Sequence, residues 1–251
     1  MTKQHVLRML MKMTVMSIGV LGLSLTHAQT LGDVDRLVEK ADDLIEHADE
    51  SIEAADGVVE SVDALVEEID SIVEDAIAAV MAGEQTFANE AMVHADALIE
   101  SADGIIEGTD LLVEAVDGIV EDADAKIEAA IDAMNAIDMT GKKAGVMRKA
   151  LGALNSADAA VENADYYVEA ADEAVEAADE AIEAADEAIE TSISGGNTID
   201  LLMDADSYVE AADAAVEAAD AAIEVADAAI EDADRAIEHA DRLVEAAEAG
   251  S

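Results

Sequence analysis

The chain has 251 residues and a formal charge of −49, with 61 Asp and Glu against 12 Lys and Arg, which makes nucleic acid and anionic membranes poor partners. It contains no Cys, which excludes disulfides, thiolate metal sites and a lipid-anchoring cysteine. Aromatic residues are only 2%, too few for an ordinary mixed core, yet Ala, Val and Ile raise the hydrophobic share to 52%.

Residues 1–28 have the features of a secretory signal peptide. Lys3, Arg8 and Lys12 form a basic start, Met13 to Leu25 is an apolar run, and Thr26-His27-Ala28 offers a cleavage site before Gln29. The run is short for a membrane span, which needs about 20 residues. The expectation is an exported chain, periplasmic or extracellular, with no membrane insertion after cleavage and residues 29–251 as the mature protein.

The mature part is built on one seven-residue unit: Asp, variable, apolar or small, Ile/Val, Glu, variable, Ala. It is clearest from Ala171 to Glu190, ADEAVEAADEAIEAADEAIE. Four blocks carry it: Asp35 to Ala76, Asp96 to Ala130, Asp158 to Ser192 and Asp206 to Ala247. On a helix, positions three, four and seven share one side. Position four is Ile or Val (Val38, Ile45, Ile52, Ile230, Ile237, Val244) and position seven is mostly Ala (Ala41, Ala48, Ala178, Ala185). Apolar residues spaced alternately by three and four over many units form the core stripe of a coiled coil.

Turn chemistry separates the blocks, around Gly83-Glu84-Gln85-Thr86, Thr140-Gly141-Lys142-Lys143 and Ser194-Gly195-Gly196-Asn197. These punctuate helices at about 31–82, 87–139, 146–192 and 198–249. Each would be roughly 75 Å long. Short turns between long helices imply antiparallel neighbours. The predicted fold is all-α: an elongated antiparallel four-helix coiled-coil bundle of heptad repeats, preceded by a signal peptide. Two hairpins closing only through a second chain are the rival arrangement.

Position three differs between the halves. It is often large in the first two helices (Leu37, Leu44, Leu65, Leu98, Ile105, Leu112, Ile119) and mainly Ala in the last two (Ala174, Ala181, Ala188, Ala215, Ala222, Ala229), which predicts large faces packing on small ones. Gly57, Gly104 and Gly118 interrupt position two, where a close-packed partner surface is one explanation. Met81, Met92, Met134, Met139, Met147 and Met203 lie near the turns and read as gap-fillers at the bundle ends.

Asp at position one and Glu at position five form a ladder of carboxylates along each helix. Like charges at these spacings repel by roughly 0.2–0.5 kcal/mol per pair at low salt. A solvated, solubilising face is the plain explanation. Loose, high-capacity binding of Ca²⁺- or Mg²⁺-type ions is the alternative, with candidate residues Asp172, Glu176, Asp179, Glu183, Asp186, Glu190, Asp213, Glu217, Asp220 and Glu224. A third is capture of a cationic protein or peptide. No other cofactor is implied.

Cations are few, and the topology gathers them at one end. Arg36, Lys40, Lys142, Lys143, Arg148, Lys149, Arg235 and Arg242 form a candidate docking end for an anionic envelope component or the acidic shaft of a second copy. Helix-dipole compensation accounts for Arg235, Arg242 and Lys126, placed near C-termini, but not for Arg36, Lys40, Arg148 and Lys149, which begin their helices.

No enzyme constellation is present. The residues three before His47, His94 and His239 are Leu44, Ala91 and Ala236, so the Glu-x-x-His of di-iron bundles is missing. The pairs Asp122/Asp124, Asp204/Asp206 and Asp232/Asp234 lack the Gly and final Glu of an EF-hand loop. His47 and His239 share repeat position six at similar predicted heights, a weak transition-metal candidate with Glu46 and Glu238. The sequence therefore predicts a non-enzymatic, exported, acidic helical bundle serving as a structural or interaction module.

Overall fold

The computed structural model describes residues 30–140 and 144–249. The predicted signal peptide and the cluster members Lys142 and Lys143 lie outside the described residues. Four long helices make up the structure: α1 (Leu31–Ala82), α2 (Gln85–Ala136), α3 (Ala144–Ser194) and α4 (Ile199–Ala249). At 1.5 Å per residue each is about 75–80 Å long. No strand occurs among the described residues.

The core follows the repeat. Buried residues recur three and four apart along every helix: Val38, Ala41, Ile45, Ala48 and Ile52 on α1, and Val175, Ala178, Ile182, Ala185 and Ile189 on α3. Thr109 takes position seven on α2 and is buried, its hydroxyl donating to the Ile105 carbonyl oxygen at 3.2 Å. Each helix packs on two neighbours, giving the cyclic order α1, α2, α3, α4. The order is antiparallel across the non-hairpin contacts too: Asp49 faces Glu231 while Asp70 faces Glu210.

Helix ends depart from the predicted bounds where hydrogen bonding decides. Thr30 N–H and Thr30 Oγ1 both donate to Asp33 Oδ2, at 2.9 and 2.8 Å, and start α1. Gly83 adopts φ +81° and ends it, with Gly83 N–H on the Val80 carbonyl and Glu84 N–H on the Ala79 carbonyl. That double bond is a Schellman motif, and Gly tolerates the left-handed φ because it lacks a Cβ. It lets α2 begin at Gln85, two residues earlier than the sequence predicts. The same motif recurs at the other turn of this end, where Gly196 (φ +82°) and Asn197 donate to the carbonyls of Ile193 and Ser192. At the opposite end α2 stops at Ala136, before its predicted limit, because Ile137 is extended.

The two turns are clasped together. Asn197 is buried, and its Nδ2 donates to Asn89 Oδ1 at 2.8 Å while its Oδ1 accepts from Ser192 Oγ at 3.1 Å. Gln85 Nε2 donates to the Gly196 carbonyl at 3.2 Å. Asn197 and Ser192 are the buried members and Asn89 and Gln85 the exposed ones; leaving either buried side chain unpaired costs about 1–3 kcal/mol, which favours this register.

One packing expectation is corrected. Position one of α1 faces position one of α4, and α2 likewise faces α3. Position three occupies the other flank of each core stripe and therefore lines the contacts within each hairpin. Mostly large side chains line the contact between α1 and α2, and mostly Ala lines the one between α3 and α4, with Tyr167, Leu201, Tyr208 and Leu243 as exceptions. A shallow trough holding Ala188 of α3 and Leu201 and Tyr208 of α4, all at position three, lies on that second contact. The Ala-rich faces let α3 and α4 approach closely. Met92, Met134 and Met147 do fill the core, whereas Met81 and Met203 are exposed.

Candidate functional site

The carboxylate ladders do not stand alone on open helix faces; they face one another. Along the α1–α4 contact, Asp42 is opposed by Asp234 and Asp241, Asp49 by Glu231, and Asp70 by Glu210. Along α2–α3, Asp179 is opposed by Asp103, Glu107 and Asp110, and Asp124 by Asp158 and Glu162. The result is two acidic seams on opposite sides of the rod, both joining the α1–α2 hairpin to the α3–α4 hairpin.

Burial sharpens the conflict. Position one borders the core stripe, so each Asp is half-covered by the neighbouring helix. Oδ1 of Asp42, Asp124, Asp179, Asp186, Asp213, Asp220 and Asp241 is buried and accepts no hydrogen bond. Removing a carboxylate oxygen from water without a donor disfavours its charge, and facing carboxylates add to that. Desolvation first, and then neighbouring acids, both the Glu four residues on along the same helix and those of the facing helix, push Asp42, Asp124 and Asp179 up to about 6. Asp186, Asp206, Asp213, Asp220, Asp227, Asp234 and Asp241 shift upward for the same two reasons.

The predicted ion-binding residues are thus divided between seams. Asp172, Glu176, Asp179, Glu183, Asp186 and Glu190 run along α3, where Asp179 and Asp186 face α2. Asp213, Glu217, Asp220 and Glu224 run along α4, where Asp213 faces Asp63 and Asp220 faces Asp56. An open trough of about 440 Å³ lies on the α2–α3 side, lined by Asp103, Glu180, Glu183, Ala184, Asp186 and Glu187. Among the described residues, no three His, Asp or Glu side chains converge tightly enough to chelate a metal. The α1 and α2 acids opposite were not among the candidates. Their signal was in the sequence, since Asp42, Asp49, Asp103 and Asp124 hold the same repeat position.

The histidine pair is corrected by register. Asp49 faces Asp227 and Glu231, so His47 is level with residues near 230, and His239 lies about 14 Å further along the rod. All three described histidines, His47, His94 and His239, are exposed.

The cations gather at the end that carries Leu31 and Ala249, as the antiparallel order requires. Several are engaged locally. Arg36 approaches Asp33 at 3.7 Å, Arg235 bonds Glu231 at 3.0 Å and also Asp232, and Arg242 bonds Glu238 at 3.0 Å. Arg36 therefore has a local partner in the first turn of its own helix. The dipole account of Arg235, Arg242 and Lys126 fails. α4 runs to Ala249 and α2 to Ala136, so none of the three is in a last turn, where that effect is confined. Lys40, Arg148 and Lys149 are exposed and form no ion pair among the described residues. From Ala144 to Ala157 α3 has no acidic residue.

The chain matches no protein-family model and no curated protein. No helix among the described residues is long and apolar enough to cross a membrane.

Proposed function

We propose that the mature chain is an exported, non-enzymatic coiled-coil rod that acts as a structural or interaction module with a polyanionic surface. The observation that carries this reading is the pair of acidic seams on a continuous Ala/Val/Ile core. Carboxylates recur at every unit, about 10.5 Å apart along each helix, and present the same pattern for most of the rod's length. Repetition suits extended, multivalent contact, whereas catalysis needs one irregular, preorganised constellation. The leader-like residues 1–28 support export to the periplasm or beyond. The basic end is the docking element, with Lys40, Arg148 and Lys149 as its cations without an ion pair among the described residues and Lys142 and Lys143 next to them in sequence, and an anionic envelope component or a second copy is its partner.

A second reading is favoured by the buried Asp oxygens that lack donors: divalent cations of the Ca²⁺ or Mg²⁺ kind gather in the seams as a dense, exchangeable atmosphere rather than as chelated ions. Capture of a cationic protein would use the same surfaces. Titration of the mature chain with Ca²⁺, Mg²⁺ and NaCl at matched ionic strength, following helicity and mass, separates the readings. The structural reading expects equal stabilisation by all three salts. Stabilisation by Ca²⁺ well beyond the salt control transfers the assignment to cation binding.

A further inference from the structure

The α1–α4 seam differs from the rest of the bundle in how it is tied. At the end carrying Leu31 and Ala249, α2 continues into α3 through residues 137–143, but α1 and α4 have no covalent link. At the other end the Asn89–Asn197 clasp holds the two hairpins together. The α1–α4 contact is consequently the edge along which the hairpins can part.

The same edge concentrates unrelieved charge. Asp42 on α1 has Glu46 beside it and Asp234, Glu238 and Asp241 opposite, and Oδ1 of both Asp42 and Asp241 is buried without a donor. The α4 cations offset only part of this: Arg235 pairs with Glu231 and Asp232 and Arg242 with Glu238, and each weakly favours the charge of its neighbour Asp234 or Asp241, yet both aspartates remain raised and neither arginine bonds Asp42. From α2, the group level with Asp42 is Lys126, which stands at position three on the opposite flank of α1. Within the hairpins the corresponding flanks are mostly apolar or Ala and hold no facing carboxylates at this level.

We propose that the α1–α4 seam is an acid-closed latch, parted near the chain ends when its facing carboxylates are ionised and shut when they are protonated or screened. The two hairpins persist in both states, and the clasp at the far end acts as the hinge. Desolvation and the opposing acids, which hold Asp42 near 6, place the change in the mildly acidic range. Both states have a physical basis: ionised, the facing carboxylates regain water by parting; protonated, they tolerate burial and the Val/Ile/Ala stripe closes.

Because the chain has no Cys, spin labels can be placed at will. In the full chain, His47→Cys with Ala228→Cys spans the seam, and His47→Cys with Gly118→Cys reports on the α1–α2 hairpin; all three positions are exposed. At low salt, the seam distance is expected to be longer and broader at pH 8 than at pH 5, with the hairpin distance unchanged. About 1 M NaCl at pH 8, where the screening length falls to about 3 Å, should shorten it again. Combining Asp42→Asn, Asp234→Asn and Asp241→Asn should keep it short at pH 8. An unchanged seam distance between pH 5 and pH 8 overturns the proposal. So does a hairpin distance that moves in step, since that reports melting of the whole bundle. The pH comparison on the parent sequence decides the matter even if the triple variant loses helicity.

Discussion

At the scale of single residues, the instructive group is the aspartate of repeat position one. Its short side chain cannot lift its carboxylate clear of the neighbouring helix, whereas Glu at position five is longer and one step further round. Asp42 is one of the three most strongly shifted, with Asp124 and Asp179, and is raised to about 6 by desolvation and by Asp234, Glu46, Asp241 and Glu238. A group whose folded value exceeds its unfolded one binds protons more readily in the fold, so stability falls as pH rises between those two values. Asp42→Asn removes that loss. The variant should match the parent near pH 4, gain progressively to about pH 6 and hold its advantage above that. Asp42 is substantially solvated, so screening limits the gain to about 1 kcal/mol at pH 7. Denaturant melts of both proteins at pH 4 and pH 7 check this, and equal stability at pH 7 would contradict the burial argument.

At the scale of elements, the helices are strong in their middles and specified at their ends. Gly57 is exposed on α1, an added Cβ there meets nothing within 4 Å, and nothing in the structure explains its presence. The partner-surface explanation has no support within the chain. Gly57→Ala should stabilise by about 1 kcal/mol through helix propensity alone. Gly195 is the reverse case. A Cβ there would run into Leu201 Cδ1 and come within 3.1 Å of the Thr191 carbonyl oxygen, beside the Gly196 and Asn197 turn. The end of Leu201 can swing aside but the Thr191 carbonyl is backbone, so Gly195→Ala should destabilise by up to about 1 kcal/mol. Thermal melts of the two variants should move in opposite directions. The sequence marked both glycines, one as an interruption and the other as a turn residue. Only the packing around Gly195, the Thr191 carbonyl above all, tells which is replaceable.

At the scale of the whole molecule, charge opposes the fold and the Ala/Val/Ile core sustains it. Like-charged neighbours along the ladders amount to an unfavourable energy on the order of 10 kcal/mol without screening, and the two seams add facing pairs. The melting temperature should rise steadily from low salt to about 1 M NaCl, as the screening length falls from tens of ångströms to about 3 Å. Maximum stability at low salt would show that repulsion is not the opposing force. Scattering at high salt should report a rod about 75–80 Å long and four helices wide. A monomer near twice that length would mean that the hairpins do not close on each other within one chain.

What the sequence determined is whatever depends on the angle around one helix axis: four helices, Ile/Val and Ala inward, Asp and Glu on one flank, Leu or Ala on the other, and glycines at the breaks. Helical periodicity fixes these locally, and α1 and α2 came within a few residues of their predicted limits for that reason. Tertiary structure alone decided which neighbour each flank meets. An up-down-up-down bundle can turn either way round, and the two hands exchange the flanks. In one, position one of α1 would meet α2; in the observed one, it meets α4. That hand packs the half-buried Leu37, Leu44, Leu98 and Ile105 along the α1–α2 hairpin and sends the carboxylates to the contacts between hairpins. The isolated ladder read from sequence thereby becomes two facing ones, and half-buried aspartates near pH 6 exist only because a second acidic helix covers the first.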